Sequence, residues 1–272
     1  MTRYPWLRDI QAVLLDVDGV LYRGAYIIPD AYAFLEFLTS LRIPFLYVTN
    51  NSTMDAAGYA DRLRQRGFPA APEQVIGSAE TTAHLLAQRY PHRPPVFVIG
   101  EEGLQQALKS QHFPITERSE DAEIVVSGMD RSLTYNQLAE ATYAIRRGAA
   151  FYATNPDRTY PTERGLAPGA GSIVAALEAA SDRTAIVVGK PEPPIFHLAL
   201  ERVGVTPEKA LMIGDRLETD IRGGKRVGMH TALVLTGVTQ KPPPPGPDTP
   251  DIVARNLAEL RRWWEEALRA VE

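Results

Sequence analysis

The chain has 272 residues, 44% of them hydrophobic, and a formal net charge of -4, which is enough apolar side chain for one large domain or two smaller ones. That balance leaves no basic footprint for nucleic acid, and no apolar run approaches the ~18 residues of a membrane span. Cysteine is absent, which removes disulfides, thiolate metal sites and a thiol nucleophile. With no apolar signal core at the N-terminus, the expectation is a soluble, cytoplasmic protein.

The first apolar run, 12–15, opens into Asp16-Val17-Asp18-Gly19. On a strand alternate side chains share a face, so Asp16 and Asp18 point one way and Val17 the other. Neighbouring carboxylates repel unless a cation or a shared proton lies between them. Gly19 lets the chain turn sharply and brings backbone N–H groups close to a ligand. Asp-Gly is also ordinary turn chemistry, so this stretch alone leaves both readings open.

Residues 23–28 read as an irregular flap, and Asp30 as the cap of a helix to about 41. A buried strand over 44–48 ends in Thr49-Asn50, and a helix over 55–66 is closed by Gly67. A short apolar piece at 73–76 precedes Ser78, which would cap a helix over 79–90. The pattern then begins again, with strands at 96–99, 123–127 and 149–153 and helices at 101–110 and 135–147. A loop over 154–171, rich in Pro, Gly, Asp and Thr, leads to a helix at 172–180. The next strand, 185–188, ends at Gly189-Lys190-Pro191, and a helix follows Pro193-Pro194 to about 203. A strand at 211–213 ends in Gly214-Asp215, and Thr219-Asp220 opens a helix that stops near Gly228. A strand at 231–235, a proline-rich loop at 241–250, a short strand at 251–253 and a helix over 256–271 complete the chain. Short connections between alternating strands and helices imply an α/β fold: a Rossmann-like parallel sheet with helices on both faces. Residues 1–78 and 184–272 form that core, and 79–183 is a second α/β unit inserted into it.

In open parallel sheets ligands bind beyond the carboxyl ends of the strands. Taken as core strands, the four that end at Asp16/Asp18, Thr49-Asn50, Lys190 and Asp215 would deliver three carboxylates, a hydroxyl and an ammonium to one crevice. Carboxylate oxygens suit a hard cation, and Mg²⁺ takes one or two of them plus water and substrate phosphate. Thr49, Lys190 and backbone N–H groups beyond Gly19 and Thr49, including the Asn50 position, would grip phosphate oxygens. Asp16 could then attack phosphorus, and Asp18 could protonate the leaving oxygen and later take a proton from water.

Asp16-Val17-Asp18-Gly19-Val20, Val48-Thr49-Asn50, Gly189-Lys190-Pro191 and Gly214-Asp215 with Thr219-Asp220 resemble, in order, the four motifs of the haloacid dehalogenase superfamily. Gly-Asp-Arg-Leu-Glu-Thr-Asp at 214–220, Val-Thr-Asn-Asn-Ser at 48–52 and the place of the insertion resemble its NagD-like, 4-nitrophenylphosphatase branch. The resemblance implies Asp16 as nucleophile, Asp18 as general acid/base, and Thr49 and Lys190 as phosphate anchors. It implies Mg²⁺ on the side chains of Asp16 and Asp215 and the backbone carbonyl of Asp18, with Asp220 as a ligand or a support. It also implies that 79–183 is a specificity cap of a kind that often supplies dimer contacts, which allows a homodimer.

Within the cap, the loop 157–162 is the expected specificity segment, with Asp157 and Tyr160 its candidate residues; a surface turn with a half-buried tyrosine is the plain alternative. Pro168-Gly169-Ala170-Gly171-Ser172 looks like a dinucleotide loop but lacks a preceding strand and the later acidic residue. The five histidines show no pair at metal spacing and read as structural. The expected activity is Mg²⁺-dependent hydrolysis of a small phosphorylated metabolite, such as a sugar phosphate, nucleoside monophosphate or phosphoglycolate. Its rivals are a phosphotransferase using the same intermediate and a non-catalytic sensor of a phosphorylated ligand.

Overall fold

The computed structural model describes residues 3–162 and 164–270. The chain divides into two compact units. One comprises residues up to Val48, Arg66–Phe68 and everything from Pro191 onward; the other comprises Thr49–Gln65 and Pro69–Lys190. The insertion expected at 79–183 falls inside the second.

The first unit is built on parallel strands in the order Ile252–Ala254, His230–Val234, Ala210–Gly214, Ala12–Leu15 and Phe45–Thr49. All four residues of Ala12–Leu15 are buried, as a central strand covered on both faces requires. Its register sets Leu14 between Met212 and Leu46. Helices Ala31–Ser40 and Leu257–Arg269 pack against each other, as do Pro193–Val203 and Arg222–Arg226. Asn256 caps the terminal helix by accepting the Glu259 N–H at 2.9 Å. The apolar face of that helix buries Trp263 and Trp264, with Trp264 against Phe34 and Phe37. This helix is described to Arg269; the expected end at 271 lies outside the described residues.

The second unit carries a parallel sheet in the order Ile186–Val187, Ala150–Ala153, Ile124–Ser127, Val96–Ile99 and Ile115–Thr116. Alternation along its strands feeds two cores. Phe97, Ile99, Val125, Phe151 and Ala153 pack with Ala141, Ile145, Val174 and Leu177. Val96, Ile124, Val126 and Tyr152 pack on the other side with Ala83, Leu86, Leu104 and Leu108.

Several expectations are corrected. The strand expected at 185–188 as part of the core pairs instead in the second sheet, Ile186 with Tyr152 and Val187 with Ala153. The four other parallel strands there offered an open edge, and sequence alone does not choose between two edges of like kind. The expected loop 154–171 contains an antiparallel hairpin, Thr159–Thr162 with Gly165–Pro168. A strand therefore does precede Gly169, but it is a hairpin strand; Gly169 and Gly171 lack side chains because a Cβ on either would overlap the backbone of residues 156–157. Residues 22–27 likewise form a small hairpin, Tyr22–Arg23 with Tyr26–Ile27, where a flap was expected. Asp30 adopts a left-handed conformation and does not cap through its side chain. Ser78 lies inside its helix, Ser78–Arg89, and spends its hydroxyl elsewhere. The strand Ile115–Thr116 was unexpected, being two residues long with no alternation to read.

The burial of Leu14 yields a stability prediction. Leu14→Ala should cost about 2–5 kcal/mol by urea unfolding, the range for a buried leucine on a central element. A loss under about 1 kcal/mol would mean that this strand is not the packed centre of its unit.

Candidate active site

The order of the first sheet reverses at Ala12–Leu15. The next strand of this sheet in chain order, Phe45–Thr49, lies on one side and Ala210–Gly214 on the other. Ligand crevices of parallel sheets form at such a switch point. Asp16 is the first residue past Ala12–Leu15, and Asp215 the first past Ala210–Gly214. Strand pairing extends as far as Asp16, whose N–H donates to the Ile213 carbonyl at 2.9 Å. The chain then turns on the Val17 carbonyl, which accepts from Val20 and Leu21, with Gly19 at φ +90°. Gly19 gives its own N–H to the Tyr22 carbonyl at 2.8 Å. Its missing side chain serves Asp215, since a Cβ there would overlap that carboxylate. Asp18 stands exposed beyond the buried Asp16.

Asp16, Asp215 and Asp220 each offer a carboxylate oxygen, and these oxygens lie within 4.8 Å of one another. All three residues are buried. Asp220 is drawn in by a π-helical turn, Leu217–Ile221; its Oδ2 accepts the N–H groups of Asp215 (3.2 Å) and Arg216 (3.1 Å). Gly214 is required here, because a Cβ would collide with the Asp220 side chain. Asp215 Oδ2 accepts the Val238 N–H at 2.5 Å, whereas Asp215 Oδ1 is buried with no hydrogen-bond partner among the described residues. Burial, then the charges of Asp16 and Asp220, push the Asp215 carboxyl well above its ordinary value; Val238 and Arg216 offset this in part. A buried oxygen without a donor, facing two further carboxylates, fits a hard divalent cation. The ring of oxygens contains Asp220, while the Asp18 side chain lies outside it.

The loop after His230–Val234 closes this group. Thr236 donates its hydroxyl to the Gly19 carbonyl at 2.7 Å, and Thr239 donates its N–H to the Asp215 carbonyl at 3.1 Å. A Cβ on Gly237 would overlap the Asp215 carboxylate. No motif had marked this loop, although it leaves the same sheet edge as Asp16 and Asp215, and that position is the signal that could have found it.

The second unit gathers another part of the expected set. Thr49 is buried, its hydroxyl accepting the Asn51 N–H at 3.1 Å and meeting the Tyr59 hydroxyl at 3.4 Å. Lys190 is only 3% exposed, and lysines are buried to this degree only when acceptors meet the ammonium. Asn50 is the hub. Its Oδ1 accepts the Lys190 N–H at 2.8 Å, and its Nδ2 donates to the Lys190 carbonyl at 3.0 Å and to Asp157 Oδ2 at 3.1 Å. Its backbone carbonyl accepts from Ser78 Oγ at 2.7 Å and Asn155 Nδ2 at 2.8 Å. Ser78 and Asn155 had no place in the sequence-derived set.

Tyr160 is half-buried on the hairpin, opposite Ala167. Arg131, which interacts electrostatically with Tyr160, is held by Glu101 through bonds of 2.7 and 2.5 Å. Those bonds hold the Glu101 carboxyl below its ordinary value. No helix among the described residues is long and apolar enough to cross a membrane.

Residues 13–114 match the family described as haloacid dehalogenase-like hydrolase, and residues 187–260 match one described as HAD-hydrolase-like. The chain is 40% identical over 235 residues to the 5'-nucleotidase YutF of Bacillus subtilis, covering 86% of this chain and 91% of that protein. It is 40% identical over 233 residues to an acid sugar phosphatase of Staphylococcus aureus, covering 86% and 89%. A solved double mutant of the thermostable NPPase of Geobacillus stearothermophilus matches with a TM-score of 0.86 at 40% identity, over 92% of this chain and 97% of that one. The p-nitrophenyl phosphatase of Archaeoglobus fulgidus matches with a TM-score of 0.86 at 32% identity, over 93% and 99%. Identity of this order across nearly the whole length, with the aspartate-bearing strand ends inside the matched segments, means that this chain belongs to the haloacid dehalogenase-like hydrolases, in their NagD-like phosphatase branch.

Proposed function

We propose that the chain is a Mg²⁺-dependent phosphomonoesterase that hydrolyses a small phosphorylated metabolite through an aspartyl-phosphate on Asp16. The observation that carries this reading is the buried group of Asp16, Asp215 and Asp220, with Asp215 Oδ1 left without a donor. Such a group is unfavourable by itself and is relieved by a cation. Mg²⁺ would be held by the side chains of Asp16 and Asp215 and the backbone carbonyl of Asp18, with Asp220 bracing the loop that carries Asp215. When bound, it supplies positive charge against the repulsion between an anionic nucleophile and an anionic ester. Names of the relatives, a 5'-nucleotidase, an acid sugar phosphatase and p-nitrophenyl phosphatases, support a phosphate ester with a small leaving group as substrate.

The steps belong to the chain's own residues. A carboxylate oxygen of Asp16 attacks phosphorus, the bond to the ester oxygen breaks, and Asp18 gives that oxygen a proton. Asp18 then takes a proton from water as the water oxygen attacks phosphorus, which frees inorganic phosphate and restores Asp16. An exposed Asp18 beside a buried Asp16 suits that division, since only the proton carrier must meet water and the leaving group. Thr49 and Lys190 hold phosphate oxygens. Gly19 contributes room for Asp215, and Asn50 contributes the placement of Lys190. Residues 79–183 serve as the cap, with Tyr160 offering a ring face or a hydroxyl to the leaving group.

Asp16→Asn should reduce turnover of p-nitrophenyl phosphate to background with an unchanged circular-dichroism spectrum, and rapid quench should find no phosphoryl label on the protein. Label retained on the variant would place the nucleophile elsewhere. Asp18→Asn should slow turnover by about 10²–10⁴-fold, the usual worth of a general acid/base.

Cation binding is tested separately by melting. Because the folded-state pKa of Asp215 lies above its unfolded value, the native state holds the extra proton. Without an ion, stability therefore falls as pH rises from the ordinary carboxylate range through that raised pKa. At neutral pH in chelator, Asp215→Asn should melt above the wild type. Added Mg²⁺ should raise the wild-type Tm by mass action and leave the variant unmoved. Equal shifts in both proteins would remove Asp215 from the cation site.

A further inference from the structure

We infer that Asp157 is a positioning residue for Lys190, acting through the Asn50 carboxamide, and is not a substrate-specificity contact. The inference rests on the reading of Lys190 as a phosphate anchor, and it concerns only residues of the second unit.

The Asn50 side chain pairs with both backbone polar groups of one residue. Its Oδ1 takes the Lys190 N–H and its Nδ2 gives one hydrogen to the Lys190 carbonyl. This is the pairing a neighbouring strand would supply, delivered by a side chain just past the two-residue strand Ile186–Val187. Gly189 makes it feasible: a Cβ there would come within 2.6 Å of Asn50 Oδ1 and closer still to the Thr154 carbonyl. The Gly189 N–H is itself bound to that carbonyl at 2.8 Å. The Gly-Lys dipeptide is thus held on both sides by 50 and 154.

A carboxamide can be turned over, exchanging its oxygen and nitrogen, and its surroundings decide which way it sits. The Lys190 N–H and carbonyl favour one orientation, and Asp157 locks it. Its Oδ2 accepts the second Nδ2 hydrogen at 3.1 Å, and in the flipped state the amide oxygen would face this carboxylate while an amide N–H faced the Lys190 N–H. Both contacts would be repulsive. Asp157 is set in turn by its own backbone, with its N–H on Asn155 Oδ1 at 3.1 Å and its carbonyl accepting from Gly171 at 2.9 Å. Asn155 returns to the Asn50 carbonyl. The backbone of Lys190 is therefore oriented by a closed set of hydrogen bonds in which Asp157 supplies the negative charge. Misplacement of a reacting or anchoring group by about 1 Å costs on the order of 10²-fold in rate.

Steady-state kinetics on the full chain in excess Mg²⁺ test this, with p-nitrophenyl phosphate and a sugar phosphate as the two probes. Asp157→Ala should lower kcat by about 10–10²-fold, and by the same factor for both probes, because it acts on the phosphoryl end. Asp157→Asn keeps an acceptor toward Asn50 and should recover most of that loss. Asn50→Asp presents a carboxylate to Asp157 and has no donor for the Lys190 carbonyl, so it should fall at least as far as Asn50→Ala. In a Lys190→Ala background, Asp157→Ala should add nothing further. A loss confined to one probe and expressed in KM would make Asp157 a leaving-group contact and overturn the inference, as would full additivity with Lys190→Ala. High activity in Lys190→Ala by itself would instead remove the anchor on which the inference rests, so the two failures are told apart.

Discussion

Mutual repulsion among Asp16, Asp215 and Asp220 is the constraint to which most of the first unit answers. Three buried carboxylates with oxygens inside 4.8 Å crowd one another, and burial, then the charges of Asp16 and Asp220, push the Asp215 carboxyl above its ordinary value. The fold does not relieve this by spreading the groups apart. It supplies backbone donors where it can, the N–H groups of Asp215 and Arg216 to Asp220 and that of Val238 to Asp215. It also clears side chains from the approach, with glycine at 19, 214 and 237. What the backbone leaves undone is one buried oxygen of Asp215. A site evolved for stability alone would have filled that position with an apolar residue or a donor, and an oxygen left in this state suits a cation.

The second unit solves the opposite problem. A buried lysine must have its backbone fixed before its ammonium can be placed. Here the placement is done through backbone groups. Asn50 reads the N–H and C=O of Lys190, and a neutral carboxamide does so without adding charge at the point of contact. The charge that locks the amide sits one hydrogen bond further away, on Asp157. Ser78 and Asn155 hold the Asn50 carbonyl, so a helix start and the foot of the hairpin both bear on the same residue.

How much of this was legible in the sequence follows from which kind of interaction carried it. Strands with four or five buried residues, such as Ala12–Leu15 and Ala210–Gly214, announce themselves by composition, and so do the polar residues at their ends. Asp16 and Asp215 could be brought together from topology alone, since both follow strands of one parallel sheet. Short pairings were not legible. Ile186–Val187 contributes two residues to a sheet, too few for any periodicity, and its membership of the second sheet was set by an edge that only the folded unit presents. The hairpin at 159–168 was hidden by a composition of Pro, Gly and Thr that reads equally as loop. Side-chain-to-backbone bonds were hidden for another reason. Ser78 carries the residue type of a cap, and only the nearby Asn50 carbonyl takes its hydroxyl elsewhere.

Asp16 and Asp18 illustrate the limit most clearly. They are the same residue, two positions apart, and alternation along a strand would set them side by side on one face. In the structure the ladder ends at Asp16, whose N–H is still paired to Ile213, and the turn on Val17 carries Asp18 out to solvent. One aspartate is thereby fixed by a backbone bond in a buried, anionic environment, while its twin stands in water at the mouth of the turn. Two identical carboxyl groups acquire different access to water because the strand stops between them. Gly19 belongs to the turn that follows, adopting φ +90° and yielding its side-chain volume to Asp215. A substitution at this glycine would therefore strain the turn after Asp16 and press on the Asp215 carboxylate at once.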